Sequence, residues 1–418
     1  MRENADREGL TAEDLRSAAN EIRDSQASEE LNARGHPVWL PRDARLSAVQ
    51  SALEEFYVKA GAVETSQEQG AVEGVAVTTD QALKADWLPS DSNSLGREGE
   101  ESDWLGWGLS FGVARTIRLF RGKAKFRTNG PTIPFHDKAR LVLCADWASG
   151  LPRADQVAQK MAKFLFDAEG MQSDRHVIHL GDVYYAGRDR EYRSQVTDLW
   201  PVPPGSDIGS YALNANHDMF AGGQGFYRLL DEDNRFARQA GASFFCLENQ
   251  YWQIFGLDTA YESEGASGDL GGLMAPQAEW LMQHRLRAPQ KKVLLLSHHQ
   301  LFSSYEKDSP LLQDRLTPLL SGPKPVDAWF WGHEHRCAVY RPSHNITYPA
   351  LIGHGGVPVY AHREAQPDTV RFQYDDAFRV GLEKFARLGF AVVDLDEDRA
   401  YVRYVNELGT VHEQHRIE

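Results

Sequence analysis

His176-Val177-Ile178-His179-Leu180-Gly181-Asp182-Val183-Tyr184-Tyr185 is a short apolar run that ends abruptly in a glycine and a carboxylate. Glycine at such a point lets the backbone turn sharply and leaves the next side chain at the strand end. Four other segments follow the same plan. Arg140-Leu141-Val142-Leu143-Cys144-Ala145 ends at Asp146-Trp147, and Tyr211-Ala212-Leu213 leads through Asn214-Ala215 to Asn216-His217-Asp218. Lys292 to Leu296 ends at Ser297-His298-His299, and Ala328-Trp329-Phe330-Trp331 ends at Gly332-His333-Glu334-His335. Asp, Asn, Tyr and His converging from five strand ends do not read as core, where each would be a buried polar group without a partner.

Those residue types suit a pair of cations. Hydrolysis of a phosphate ester needs an attacking hydroxide and compensation of charge on the phosphoryl oxygens, and two metal ions about 3.5–4 Å apart supply both. Such a pair takes a bridging carboxylate and hard oxygen or imidazole ligands. Asp182, at a strand end behind a glycine, is the natural bridge. Asp146 would hold one ion and Asn216 the other. His333 and His335 are two apart, so on an extended segment they share a face and would serve one ion each. His298 completes the set, and on an extended segment one of His298 and His299 must point away.

The chain has 418 residues and a formal net charge of −15, which disfavours non-specific attraction to nucleic acid or anionic membranes. An apolar content of 42% is ample for a sizeable core. Cys144, Cys246 and Cys337 form no spaced pair and lie in or beside apolar runs. They read as buried free thiols in a reducing, cytoplasmic setting. Met1-Arg2-Glu3-Asn4-Ala5-Asp6 lacks a hydrophobic signal core, and no run of apolar residues is long enough to predict a transmembrane segment.

Residues 1–135 read as a partly helical N-terminal extension, with helices around 10–25 and 44–60 and an exposed polar loop from Ser92 to Asp103. Within it Leu109, Val113, Ile117 and Phe120 fall at helical spacing, accompanied by Arg115, Arg118, Arg121, Lys123, Lys125 and Arg127. A basic amphipathic segment of this kind, over 109–127, touches an anionic membrane surface or polyanion, or packs on the rest of the chain. The acidic remainder favours packing. Residues 136–418 read as the catalytic domain. There the pattern predicts helices over Ala154–Ala168 and Pro276–Leu286, a strand pair at Phe244–Leu247 and Trp252–Leu257, and a hairpin of Phe390–Leu395 with Ala400–Tyr404. Strands interleaved with helices, plus terminal hairpins, predict an α/β fold, a layered sandwich.

In order and content, the five blocks resemble the calcineurin-like metallophosphoesterase superfamily over roughly residues 139–360. The resemblance implies a four-layered αββα sandwich. It implies a dinuclear metal-dependent phosphoric ester hydrolase, a phosphomonoesterase or phosphodiesterase acting on a small-molecule phosphate ester by metal-bound hydroxide attack. Two departures refine it. Ala148 stands where most of the superfamily has a histidine ligand, and Tyr185 stands three residues after Asp182. That combination resembles the purple acid phosphatase branch, where a tyrosinate binds ferric ion. On this resemblance Asp146, Asp182, Tyr185 and His335 hold the first metal, and Asp182, Asn216, His298 and His333 the second. The ions implied are Fe3+ with Fe2+, Zn2+ or Mn2+; Mn2+/Mn2+ and Zn2+/Zn2+ are the alternatives. His217 resembles the acid that protonates the leaving oxygen, with Asp218 orienting it. Residues 1–135 do not read as the seven-stranded sandwich that usually precedes the catalytic domain in that branch. Two other readings compete. A scaffold that keeps the fold with little catalysis is disfavoured by retention of nearly every ligand. A nuclease using the basic segment near Arg118 is disfavoured by the net charge.

Overall fold

The computed structural model describes residues 27–31, 37–41, 118, 122–166, 174–263, 270–359, 368–380 and 383–417. The chain divides into two compact units, Met1–Gly122 and Lys123–Glu418. In the first, strands β1 (Ala27–Leu31) and β2 (Pro37–Pro41) pair antiparallel. The helices expected around 10–25 and 44–60, and the stripe residues Leu109, Val113, Ile117 and Phe120, lie outside the described residues. The division between the units lies earlier than the expected 135/136, with residues 123–135 grouped in the second unit. Strand β3 (Thr132–Pro134) pairs with β7 (Phe245–Glu248), and the Phe126 ring stacks 5.6 Å from Phe244.

The second unit is built on two sheets. One contains β4 (Lys138–Cys144), β5 (Asp174–His179), β6 (Gly209–Ala212), β16 (Gly389–Asp396), β17 (Arg399–Asn406) and β18 (Val411–Ile417), in the order β18-β17-β16-β4-β5-β6. Strands β4, β5 and β6 run parallel, and the C-terminal hairpin joins antiparallel through β16 against β4. The other sheet adds β8 (Trp252–Gly256), β9 (Lys292–Leu296), β10 (Val326–Trp331), β11 (Cys337–Tyr340), β12 (Ile346–Ile352) and β13 (Val370–Gln373) to β3 and β7. Its centre, β8, β9, β10 and β12, is parallel. A small antiparallel pair, β14 (Ala377–Val380) with β15 (Glu383–Ala386), stands apart from both.

Successive side chains of a strand point to opposite faces, and here both faces are apolar. Leu141 and Leu143 of β4 face Ile254, Leu294, Leu296, Ala328 and Phe330 of the other sheet in one core. Val142 and Cys144 of the same strand pack outward on Val157, Met161 and Leu165 of helix α1 (Pro152–Phe166). Helix α2 (Asn216–Phe220) leads into α3 (Gln224–Glu232), whose Phe226, Leu229 and Leu230 join that outer layer. Beyond the second sheet, Val293, Leu295, Trp329 and Trp331 pack with Trp280 and Leu281 of α4 (Ala275–Arg287) and Leu312 and Leu316 of α5 (Pro310–Leu320). Three apolar layers between helix, sheet, sheet and helix make the four-layered αββα sandwich.

Cys144, Cys246 and Cys337 are buried and unbridged. No described helix is long and apolar enough to cross a membrane. The architecture fixes where chemistry can occur. Strands β4, β5, β6, β9 and β10 all deliver their C-terminal ends to one edge of the sandwich, the place where open parallel sheets bind ligands.

Candidate metal centre

Three of the five strand ends, those of β4, β5 and β10, turn through left-handed residues. Asp146, Asp182, His333 and His335 all have positive φ, at 54°, 71°, 74° and 35°. Non-glycine residues held in the left-handed region carry strain, which persists where the surrounding structure over-determines it. Gly181, at φ 105°, allows the turn at Asp182, where a Cβ would come within 2.6 Å of Ala215 Cβ. Gly332 plays the same part for the last, where a Cβ would lie 2.6 Å from Asp146 Oδ2. Backbone bonds then tie the turns together: Asp146 N–H donates to Gly181 O at 3.0 Å, and Gly332 N–H to His298 O at 2.9 Å.

Two clusters of donor atoms result. In the first, Asp146, Asp182 and His335 bring ligand atoms within 4.8 Å of one another. The hydroxyl of Tyr184 sits among them, 2.9 Å from Asp146 Oδ1, 3.1 Å from Asp182 Oδ2 and 2.8 Å from His335 Nε2. The sequence points to Tyr185 for this place; in the structure it is the Tyr184 hydroxyl that stands there. Val183 bridges to Ala148, and Tyr184 N–H donates to Ala148 O at 3.0 Å. That pairing turns the Tyr184 side chain inward. Tyr185 is held by its backbone, N–H to Glu191 Oε1 at 3.0 Å and carbonyl to His217 Nδ1 at 2.6 Å. Nothing in two adjacent tyrosines distinguishes them before this bridge forms.

In the second cluster His298, His299 and His333 lie within the same reach of one another. Asn216 Oδ1 is 2.9 Å and Asp182 Oδ1 3.4 Å from His298 Nε2. Asp182 therefore offers one oxygen to each cluster, as a bridge must. His299 does not point away: the chain leaves β9 in a bend, and Thr259 Oγ1 holds His299 Nδ1 at 3.0 Å. His333 and His335 do reach different clusters, but through left-handed turns rather than along an extended face.

The donor set fits cations. His298 Nδ1 lies 3.1 Å from the Leu180 carbonyl, which only accepts, so Nδ1 carries the proton. Burial lowers this histidine to about 3, which keeps it neutral with a lone pair on Nε2. That lone pair faces two oxygens, Asn216 Oδ1 and Asp182 Oδ1. Electron pairs aimed at one another are what a positive ion between them would resolve. Burial, and then the Asp182 charge, push the Asp146 carboxyl well above the usual range. Burial also opposes charge on Asp182, but His217, His298, His333 and His335 overcome it and hold that carboxyl low. The Tyr184 phenol is pushed up by burial and by the two carboxylates. Two cations would remove each of these penalties.

His217 lies beside the clusters, its ring between Tyr184 at 4.9 Å and Phe220 at 4.6 Å. Its Nε2 is 3.9 Å from Asp182 Oδ2. Asp218, expected to orient it, has both oxygens engaged with backbone amides. The Asp218 oxygens accept from Val183 N–H at 3.1 Å and Ala215 N–H at 2.9 Å, pinning two site loops, and the Tyr185 carbonyl holds the His217 ring instead. His179 packs edge-on to Trp147 at 5.8 Å.

Residues 139–337 match the family model for calcineurin-like phosphoesterases. A curated relative, "Probable glycerophosphodiester phosphodiesterase GpdQ" of Arcobacter nitrofigilis, is 29% identical over 167 residues, 38% of this chain and 56% of its own length. The chain thus spans little more than half of that relative. Among solved structures, GAP50, titled the anchor in the inner membrane complex of Plasmodium, is 12% identical with a TM-score of 0.50, covering 67% of this chain and 89% of its own. A dimetal phosphatase from Danio rerio is 15% identical with a TM-score of 0.42, covering 66% and 98%. Over residues 139–337 the chain thus carries the calcineurin-like phosphoesterase pattern.

Proposed function

We propose that the second unit is a dinuclear metal-dependent phosphoric ester hydrolase. The observation that carries this reading is the pair of ligand clusters sharing Asp182. Asp146, Asp182, Tyr184 and His335 would hold one ion; Asp182, Asn216, His298 and His333 would hold the other, with His299 against them. Two cations so held would lower the pKa of a water for attack on phosphorus and would offset charge on the phosphoryl oxygens. A phenol hydroxyl among two carboxylates suits a hard trivalent ion, which favours Fe3+ paired with Fe2+, Zn2+ or Mn2+. His217 carries its Nδ1 proton against the Tyr185 carbonyl, so in its protonated form Nε2 is the nitrogen that gives a proton to the departing alcohol. The name of the Arcobacter relative favours a small phosphodiester over a monoester as substrate. Three buried free thiols support a reducing, cytoplasmic setting.

The test is metal analysis of the full-length protein together with turnover of bis(p-nitrophenyl) phosphate and p-nitrophenyl phosphate. The expected result is two metal ions per chain and faster hydrolysis of the diester. A doubly loaded protein inert toward both esters would sink the hydrolase reading and return the scaffold.

A further inference from the structure

Glu191 is not a ligand, yet it is buried, only 5% exposed, and surrounded by donors. Its Oε1 accepts from Tyr185 N–H at 3.0 Å and from the Arg188 guanidinium at 3.0 and 2.6 Å. Its Oε2 accepts from Ala186 N–H at 3.2 Å and Arg188 N–H at 2.8 Å. The Ala186 N–H belongs to the same peptide group as the Tyr185 carbonyl, and that carbonyl accepts from His217 Nδ1 at 2.6 Å. A continuous line therefore runs from the His217 ring to the carbonyl, across one peptide group to its N–H, and on to a buried carboxylate. A charge on the N–H end of a peptide polarises it and strengthens its oxygen as an acceptor. The other bond, to Tyr185 N–H, holds the preceding Tyr184–Tyr185 peptide group, so the peptides on both sides of the Tyr185 Cα are tied to the same carboxylate.

The geometry points to Glu191 as a positioning residue for His217, acting through the Tyr185–Ala186 peptide group. The inference rests on His217 being the acid for the leaving oxygen. Glu191 holds the carbonyl, the carbonyl holds Nδ1, and Nε2 is thereby aimed at the departing group. The Glu191 oxygens accept from backbone amides and from Arg188, not from a ligand side chain, so the effect is expected in the proton-transfer step, and the metal content checks that the neighbouring Tyr184 is undisturbed.

The experiment compares full-length wild type, Glu191→Gln and His217→Ala, each with its metal content measured, on a series of phosphodiesters whose leaving groups run from p-nitrophenol through phenol to an alkyl alcohol. A misaimed acid costs most where the leaving oxygen needs the proton most. Glu191→Gln should lower kcat about tenfold for phenyl and alkyl esters, leave the p-nitrophenyl ester nearly unchanged, and leave KM and metal content as in wild type. An equal loss across the series, or loss of metal, would overturn the proposal in favour of a role in folding the loop. His217→Ala separates the two levels: if it too loses activity uniformly, the acid assignment fails; if only Glu191→Gln does, the fault lies with the inference. Should Glu191→Gln not fold, Glu191→Asp keeps the charge but is one methylene too short for both amides. The same leaving-group trend is expected at smaller amplitude, and a flat response refutes the positioning role.

Discussion

Asp182 offers an oxygen to each cluster, so its charge is counted twice. Asp182→Asn should cost both metal ions and hydrolysis together, because a neutral amide cannot offset two cations. Metal analysis with turnover checks this, and an Asp182→Asn protein with two ions and normal rate would remove Asp182 from the bridge. The adjacent tyrosines give a second residue-scale prediction. If Tyr184 meets ferric iron as a phenolate, the aerobically purified protein should show a visible charge-transfer band. Tyr184→Phe should abolish it and Tyr185→Phe should leave it in place, since the Tyr184 hydroxyl lies within 3.1 Å of Asp146 and Asp182 and Tyr185 is held through its backbone. The opposite pattern would restore the assignment to Tyr185.

At the scale of elements, the turn after β4 is braced by the loop that follows β12. Gly355 N–H donates to Ala145 O at 3.1 Å, and a Cβ on Gly356 would lie 1.9 Å from the Trp147 carbonyl oxygen. Backbone rather than a flexible side chain meets that atom, so it cannot be accommodated without moving one loop. Gly356→Ala should destabilise the protein by roughly 1–3 kcal/mol and weaken metal binding, because Asp146 stands on the displaced turn. Thermal unfolding and metal titration read the two effects. An unchanged midpoint would show that the two loops are not in this contact.

For the whole molecule, burial of histidines links stability to pH. His179 and His354 are buried, and burial lowers both from 6.5 to about 4. Above pH 6.5 neither state binds the proton and the contribution is complete. Between 6.5 and about 4 the unfolded chain takes up protons that the folded chain refuses, so stability falls, by an amount on the order of 3 kcal/mol per histidine across that window. Urea midpoints measured from pH 7.5 to 4.5 should therefore decline, and His354→Gln should flatten the slope by one proton. Equal slopes in wild type and variant would show that His354 takes up its proton without unfolding.

The five polar blocks, their order and the apolar runs before them were legible in the sequence, because a strand buried on both faces must be continuously apolar and must stop where a glycine or a polar residue leaves it. Asp146, Asp182, Asn216, His298, His333 and His335 could be named as candidate ligands on that basis, and the structure brings them together. Which face a residue takes after the strand ends was not legible. Tyr184 rather than Tyr185, His299 turned inward, and a carbonyl rather than Asp218 on His217 are all outcomes of left-handed turns and of bonds between segments far apart in sequence. Periodicity governs side-chain direction only while the backbone is regular. Once the chain turns at Gly181 or Gly332, direction is set by what the neighbouring loop donates or accepts, and only the assembled tertiary structure contains that neighbour.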